Sequence, residues 1–253
     1  MKKIAFVLLA TASLAFPSLL SALEIGAEAR LWEQSLTADI EVDKATIEGT
    51  EIDLEDTLDI DDKETVPEYR AWIEIGNSRL TGSYSKFAND GTKTLTQSIV
   101  FDGTTYAAST TVTSDMDIEL ADLTFESPLP FLSLGTTASI NWLAGVKYLG
   151  FEGSITASGV ETANKVGVPI PQIGAGVRAD LLMIDVFATA KGIGYDTGDV
   201  RGKIIDAEAG AGFELGVFRV SAGYRIFDID VDSDDAALEF QYGGPFVGAG
   251  FSL

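Results

Sequence analysis

The sequence contains neither cysteine nor histidine. Without cysteine the chain has no disulfide, no thiolate metal site and no cysteine nucleophile. Without histidine it has no Ser-His-Asp triad, no imidazole general base and no imidazole metal ligand. Carboxylates and lysines are present, but the commonest catalytic side chains are missing. The sequence therefore predicts a protein that is not an enzyme and has no resident cofactor.

Positive charge is also scarce. The chain has 17 lysines and arginines against 39 aspartates and glutamates, a formal net charge of −22. Such an excess of negative charge disfavours nucleic acid as a partner and is unlike a basic membrane-surface protein.

Long apolar runs are absent except at the start of the chain. Lys2 and Lys3 precede an apolar run, Ile4–Leu20, which Ser21 and Ala22 follow. This pattern is typical of a secretory signal peptide cleaved after a small residue. No later stretch reaches the ~20 apolar residues of a membrane-spanning helix. We therefore expect a signal peptide over residues 1–22 and a single domain over residues 23–253.

Apolar and polar residues alternate along most of residues 23–253. In the last stretch Val247, Ala249, Phe251 and Leu253 fall on one face, because side chains alternate sides along a strand. About ten such stretches follow one another, separated by turns that alternate between short and long. In detail we expect the third strand to continue towards Phe101, a hairpin turn at Asp102–Gly103, a loop over Gly159–Gly167 and a bend or bulge at Pro245. The pattern predicts an all-β protein, a closed antiparallel transmembrane β-barrel of about ten strands, with eight strands as the alternative. Val247, Ala249, Phe251 and Leu253 would form its closing strand.

The polar face carries long charged side chains of both signs in the middle of the strands, whereas the apolar face carries Tyr69, Tyr84, Trp142, Tyr148 and Tyr224. Aromatic residues at those places are typical of a lipid interface. We therefore expect the apolar face to contact lipid and the charged face to line the lumen. The alternative is a secreted soluble β-barrel that binds a small ligand, with the apolar face inside.

On this assignment the lumen holds seven basic and six acidic residues: Glu28, Arg30, Arg70, Glu74, Asp122, Lys147, Arg178, Asp180, Lys191, Asp206, Glu208, Arg219 and Arg225. Charges in a narrow barrel should pair, because an isolated charge away from water is very costly. We therefore predict an ion-pair network that fills much of the lumen. The corresponding function is structural, or that of a passive channel for ions or small solutes.

The segment Ser35–Val66 is predicted to be an acidic outer loop, with twelve acidic residues. Carboxylate oxygens are the ligands that Ca²⁺ and Mg²⁺ prefer, although the glycine of an EF-hand loop is missing here. The candidate ligands of a weak divalent-cation site are Asp53, Glu55, Asp56, Asp59, Asp61 and Asp62. Such a loop could bridge to lipopolysaccharide, or serve surface binding and adhesion. A run of charges is more often simply solvated.

Several segments resemble a poorly characterised group of small Gram-negative outer-membrane β-barrel proteins, related in architecture to OmpA-like and OmpW-like barrels. These segments read GTEIDLEDTL, PEYRAWIEIGNSRLTGSYSKF, SIVFDGTTY, TSDMDIELADLTF and GPFVGAGFSL. The resemblance implies insertion into the outer membrane by the barrel assembly machinery, which reads the alternating C-terminal strand. We also expect a monomer in contact with outer-membrane lipids and lipopolysaccharide. The chain departs from the group at Leu253, where an aromatic residue is usual. Outer-membrane proteases and lipid A deacylases of similar size use histidine, so no catalytic motif is transferred.

Cleavage of the predicted signal peptide can be tested directly. We expect the protein purified from an outer-membrane fraction to begin at Leu23, because Ala22 is the small residue that ends the apolar run. Intact mass and N-terminal sequencing measure this. A chain that retains Met1 in that fraction would contradict the prediction.

Overall fold

A computed structural model describes residues 23–42, 50–61, 63–133, 137–196, 200–233 and 236–253. The predicted signal peptide lies outside these residues. The described part of the chain is almost entirely β-strand, with one short helix. None of the helices among the described residues is long and apolar enough to cross a membrane.

Ten long strands form the wall of a closed antiparallel barrel, as the sequence predicts. These strands are β1 (Leu23–Val42), β3 (Lys63–Ile75), β4 (Ser78–Thr94), β7 (Thr111–Ser133), β8 (Ala138–Ala157), β9 (Val160–Leu181), β10 (Ile184–Asp196), β11 (Val200–Leu215), β12 (Phe218–Ser233) and β13 (Ala236–Ser252). Three short strands and a helix lie in the longer connections: β2 (Ile52–Asp53), α1 (Leu54–Leu58), β5 (Ile99–Phe101) and β6 (Thr104–Tyr106).

The barrel closes between its first and last strands. β13 pairs with β1 from Gly26 opposite Ser252 upward. Ile25 and Leu253 exchange both backbone hydrogen bonds at 2.9 Å. Both strands therefore end on the side of the short turns. In bacterial barrels this is the periplasmic end, and the longer connections are extracellular.

The periplasmic half of the barrel is apolar on the outside. Val247, Phe251 and Leu253 are 59%, 45% and 71% exposed, as the sequence predicts for a strand that faces lipid. Two groups of exposed aromatic side chains border this apolar belt. Tyr69, Tyr84, Tyr148 and Tyr224 lie towards the extracellular end, and Phe125, Trp142, Phe213, Phe218 and Phe251 lie towards the periplasmic end. Aromatic residues at two levels are typical of a bilayer-spanning barrel.

The apolar face changes sides above the upper aromatic residues. On β12, Val220, Tyr224 and Ile226 point outward, whereas Phe227 and Ile229 are fully buried inside. β8 shows the same change: Tyr148 points outward, and Leu149 and the apolar residues after it point inward. The extracellular half therefore has an apolar core and a polar surface, like a water-soluble protein.

Above this level the wall divides into two sheets. One contains β4, β7, β8 and β9, and the other contains β10 to β13, β1 and β3. The ladder between β3 and β4 stops at Glu68 opposite Ser85, and that between β9 and β10 stops at Ile173 opposite Gly192. The two sheets face each other across the core, where Phe151 of β8 lies 5.9 Å from Phe240 of β13 between ring centroids.

Several strands are longer than the sequence indicates. The predicted acidic loop Ser35–Val66 begins and ends as strand: β1 continues to Val42 and β3 starts at Lys63. The predicted loop Gly159–Gly167 is wrong, since only Ser158 and Gly159 form the turn and β9 begins at Val160. These segments are polar on their outer face because they stand in water. Their charge therefore makes them resemble loops.

The connection after β4 also differs from the prediction. β4 does not continue to Phe101 but ends at Thr94, and β5 and β6 form a separate small hairpin. Its turn at Asp102–Gly103 has positive φ at both residues, as that dipeptide predicts. Pro245, where a bend or bulge was expected, causes no register shift in β13, so no bulge forms there.

The change of face predicts opposite sensitivities at two positions of one strand. Ile229→Ala should lower the free energy of unfolding by about 2–5 kcal/mol, because it opens a cavity in a packed core. Val220→Ala, on the lipid side, should cost less than about 1 kcal/mol, because lipid or detergent fills the space. Urea titration of the folded, heat-modifiable gel band measures both. Equal costs would contradict the assignment of faces.

Candidate functional site

The lumen at membrane level is filled by ion pairs, and Arg225 of β12 lies at their centre. Its guanidinium group donates to both oxygens of Asp206 on β11, at 3.0 and 2.9 Å, and to Glu68 on β3 at 2.7 Å. The group also lies 4.9 Å from the ring of Trp32. Arg225 is 5% exposed. One side chain thus joins β12 to its neighbour β11 and to β3, which is distant in sequence.

Glu208 of β11 joins two further arginines. It accepts from Arg30 at 3.0 Å and from Arg70 at 2.7 Å. Arg30 also lies 3.3 Å from Glu28 and 4.3 Å from the ring centroid of Phe246. These pairs link β1 and β3 to β11 across the lumen, so the network ties opposite walls together.

A lysine pair connects the other side of the barrel. Lys147 of β8 is fully buried, and its Nζ lies 3.0 Å from both Asp122 and Asp206. Lys191 of β10 donates to both oxygens of Asp122 at 2.9 Å. Lys147 also lies 5.0 Å from the ring of Phe227. It therefore stands at the boundary between the ionic layer and the apolar core.

Smaller groups of ion pairs line the periplasmic mouth. Arg219 pairs with Asp185 and Glu214, Arg178 pairs with Glu126, and Arg79 pairs with Glu74 and Glu24. Asn141 donates to Glu126 at 2.5 Å. The mouth is therefore lined by paired charges.

The structure brings most of the predicted lumen residues into this network. Nine of the thirteen lie in the pairs around the lumen, and Arg178, Arg219 and Glu74 lie in the pairs at the periplasmic mouth. Asp180 does not join them: it is exposed near the periplasmic turn. Sequence reasoning missed Glu68, Glu126 and Asp185. Each lies an even number of residues from a predicted lumen residue of the same strand, β3, β7 or β10, and this alternation could have identified them.

Little free space remains at membrane level. A cavity of about 80 Å³ lies among the paired side chains, between residues such as Arg70, Thr81 and Lys191. This volume accommodates a few water molecules. A general water-filled channel needs a far wider barrel, of ~16–18 strands.

The extracellular opening is filled by apolar side chains from two connections. Ile52, Leu54, Leu58 and Ile60 enter from the segment between β1 and β3, and Ile99, Phe101 and Tyr106 enter from the β5–β6 hairpin. Tyr106 donates to the carbonyl of Ile155 at 3.0 Å. The backbone N–H of Thr50 donates to the carbonyl of Val100 at 3.0 Å, which joins the two connections. We call these seven side chains the extracellular plug.

Two titratable groups lie in the apolar section above the membrane. Burial raises the pKa of the Tyr242 hydroxyl, and the nearby Glu64 carboxylate raises it further. Burial also raises the pKa of the Glu64 carboxyl. Both shifts favour the neutral forms, as expected where water is largely excluded.

The candidate cation ligands have structural roles in the acidic segment. Asp53 caps α1 by accepting from the backbone N–H of Asp56 at 2.6 Å, and Asp59 ends it in a left-handed conformation. Lys93 of β4 donates to the carbonyl of Asp56 at 2.7 Å. Glu55 and Asp61 are exposed, and Asp62 lies outside the described residues. No group of three acidic side chains within the described ranges is arranged to hold a metal ion.

No protein-family model matches the chain, and no curated protein matches it. Solved structures do. The outer membrane protease OmpT of Escherichia coli is 11% identical, with a TM-score of 0.58 over 91% of this chain and 97% of that one. Ail of Yersinia pestis is 10% identical, with a TM-score of 0.39 over 91% and 99%, and the toluene transporter TodX of Pseudomonas putida is 11% identical, with a TM-score of 0.34 over 96% and 93%.

At 11% identity the likeness to OmpT shows a shared fold. With the apolar belt and its aromatic borders, this fold places the chain in the outer membrane of a Gram-negative bacterium.

The lumen network predicts a large difference between two arginines. Arg225→Ala should lower the free energy of unfolding by about 3–5 kcal/mol, because it leaves Asp206 and Glu68 buried with less compensation. Arg201→Ala removes an exposed pair with Asp196 and should cost at most about 1 kcal/mol. Urea titration of the heat-modifiable band compares them. An unchanged midpoint for Arg225→Ala would refute its role as a buried partner.

Proposed function

We propose that this outer-membrane β-barrel is a closed, non-conducting anchor that displays its extracellular two-sheet domain for surface binding. The observation that carries the proposal is the double filling of the barrel. An ionic network occupies the lumen at membrane level, and an apolar core closed by the extracellular plug lies above it.

The two layers oppose conduction for different reasons. An ion crossing the lower layer has to displace side chains such as Arg225 and Lys147, which are already paired with carboxylates. In the upper layer it meets Phe227, Phe240 and Tyr242, which offer little to replace its hydration shell. A passive channel for ions or small solutes would have to open both layers. Of the two functions that the sequence predicts, the structural one is therefore favoured over the passive channel.

The size of the extracellular domain supports a display function. β1, β7, β8 and β12 extend well beyond the upper tyrosines, further than crossing the bilayer requires. The chain stabilises this extension with its own apolar core rather than with lipid contacts. A barrel that served only as a membrane plug has no need of such a domain. Surface binding or adhesion, which the sequence analysis gives as the alternative function, requires a domain that extends beyond the membrane.

The proposal includes no catalytic step. The chain has no cysteine or histidine, and the buried lumen carboxylates are engaged by arginine and lysine. It does include the expected surroundings: outer-membrane lipids and lipopolysaccharide around a monomer inserted by the barrel assembly machinery. Weak Ca²⁺ or Mg²⁺ binding by the acidic segment stays a prediction, which calcium titration followed by limited proteolysis tests.

Planar-bilayer recording tests the closed state. We expect no reproducible conductance steps from the purified protein, because both layers exclude hydrated ions. A sixteen-stranded porin in the same bilayer serves as the positive control, and the heat-modifiable band shows that the sample is folded. Reproducible steps from the folded protein would overturn the proposal.

A further inference from the structure

The upper part of β9 is an open strand edge. β8 pairs with β9 along its whole length, from Ala138 opposite Ala179 to Ala157 opposite Val160. β10 pairs with β9 only up to Ile173. Above that point no strand of the described residues pairs with the second side of β9. Residues 160–172 therefore form one edge of the extracellular sheet.

The ladder with β8 determines which residues face the open edge. The backbone N–H of Asp180, an even-numbered residue, donates to Thr137 at the start of β8. In a strand, alternate residues direct both backbone groups to the same side. The register of β8 and β9 has no shift, so every odd-numbered residue of β9 faces away from β8. Glu161, Ala163, Lys165 and Gly167 thus present their backbone groups to the open edge.

Two prolines separate this edge from the β10 ladder. Pro169 and Pro171 are odd-numbered, and each lacks the N–H that a strand at the β10 position would accept. The pairing with β10 starts at the next odd-numbered residue, Ile173. The prolines explain why β10 leaves β9 there. They do not block the four residues from Glu161 to Gly167.

The inner face beside this edge includes two uncovered valines. Leu149 and Phe151 of β8 are buried, but their partners across the ladder, Val168 and Val166 of β9, are 41% and 51% exposed. The two valines are therefore more exposed than their neighbours on β8, because β9 has no strand on its far side. A strand added at this edge would extend the core over both valines.

The wall has a second gap, between β3 and β4, and there the chain covers the opening. Between β3 and β4, the segment around α1 fills the opening: Asn89 donates to the carbonyl of Asp61 at 3.0 Å, and Lys93 donates to that of Asp56. Gly91 has no side chain there, which lets the backbone of Leu58 and Asp59 approach closely. At the β9 edge the hairpin of β5 and β6 makes a side-chain contact, from the hydroxyl of Thr162 to that of Thr104 at 3.1 Å. No described strand pairs with the backbone of this edge.

We propose that the β9 edge, from Glu161 to Gly167, binds an extended segment of another polypeptide as an added β-strand. The partner's backbone would pair with the open groups of β9. Its inward side chains, β-branched or otherwise apolar, would cover Val166 and Val168, and its outward side chains would be polar. This mode uses backbone hydrogen bonds for affinity and alternate side chains for specificity. The inference rests on the proposed display function, for which it names the class of partner.

A synthetic strand tests the proposal on the full-length protein in detergent. The probe is a fluorescein-labelled peptide of alternating threonine and valine, TVTVTVT, with two lysines added for solubility. We expect it to bind, and we expect the same peptide with N-methylated backbone amides to bind at least about tenfold more weakly, because it cannot pair. Fluorescence anisotropy measures both.

Protein variants locate the binding. Ala163→Pro removes a donor from the open edge and leaves the β8 ladder intact, so it should weaken binding at least about tenfold. Lys165→Ala changes an exposed side chain on the same edge and should change binding less than about threefold. Val166→Ser should also weaken binding, because it removes apolar contact. The heat-modifiable band shows that each variant folds.

Amide exchange measured by NMR provides an independent readout. In the free protein the amides of residues 161, 163, 165 and 167 should exchange faster than those of 162, 164 and 166, and the peptide should protect the first set. Absence of binding and of protection would overturn the proposal, as would binding that N-methylation or Ala163→Pro leaves unchanged. A cross-linked dimer lost in Ala163→Pro, without peptide binding, would overturn it in favour of a second copy of the chain. Channel conductance does not enter these measurements, so the two proposals fail separately.

Discussion

A charged side chain inside a barrel of ten strands has too little room for its own hydration shell. The rest of the structure depends on how the chain meets this constraint. Arg225, Glu208 and Lys147 each contact more than one partner of opposite sign, and the partners come from strands on different sides of the barrel. The network therefore closes the lumen and also connects its walls. Apolar residues of similar size could fill the same space, but the ion pairs require particular strands to meet.

The second constraint is the change of solvent along each strand. At membrane level the outer face contacts lipid and the inner face holds ions. Above it the outer face contacts water, so the apolar residues move to the inner face, as Ile226 and Phe227 show on β12. A single strand thus has its apolar face outward at membrane level, and above that level it has its apolar face inward in a two-sheet core. Lys147, next to Phe227, stands where the two arrangements meet.

The same change explains the errors of sequence interpretation. The alternation at membrane level is clear, and the sequence predicts the barrel, the outward aromatic residues and most of the lumen charges. The extracellular parts of the strands alternate equally well, but with opposite phase and with aspartate, glutamate and threonine on the outer face. Segments such as Val160–Gly167 and Ser35–Val42 therefore resemble loops in composition although they are strands.

By itself the sequence determined the class of fold, since period-two alternation with charged residues opposite aromatic ones has few other solutions. It also determined the near balance of lumen charge, because both signs fall on one face. Only the tertiary structure decided which charges pair, since Arg225 and Glu68 lie 157 residues apart. It alone decided how the extracellular end closes and where β9 stays open, because these depend on where the ladders between β3 and β4 and between β9 and β10 stop. Local patterns record which face a residue takes, but not which distant strand stands beside it.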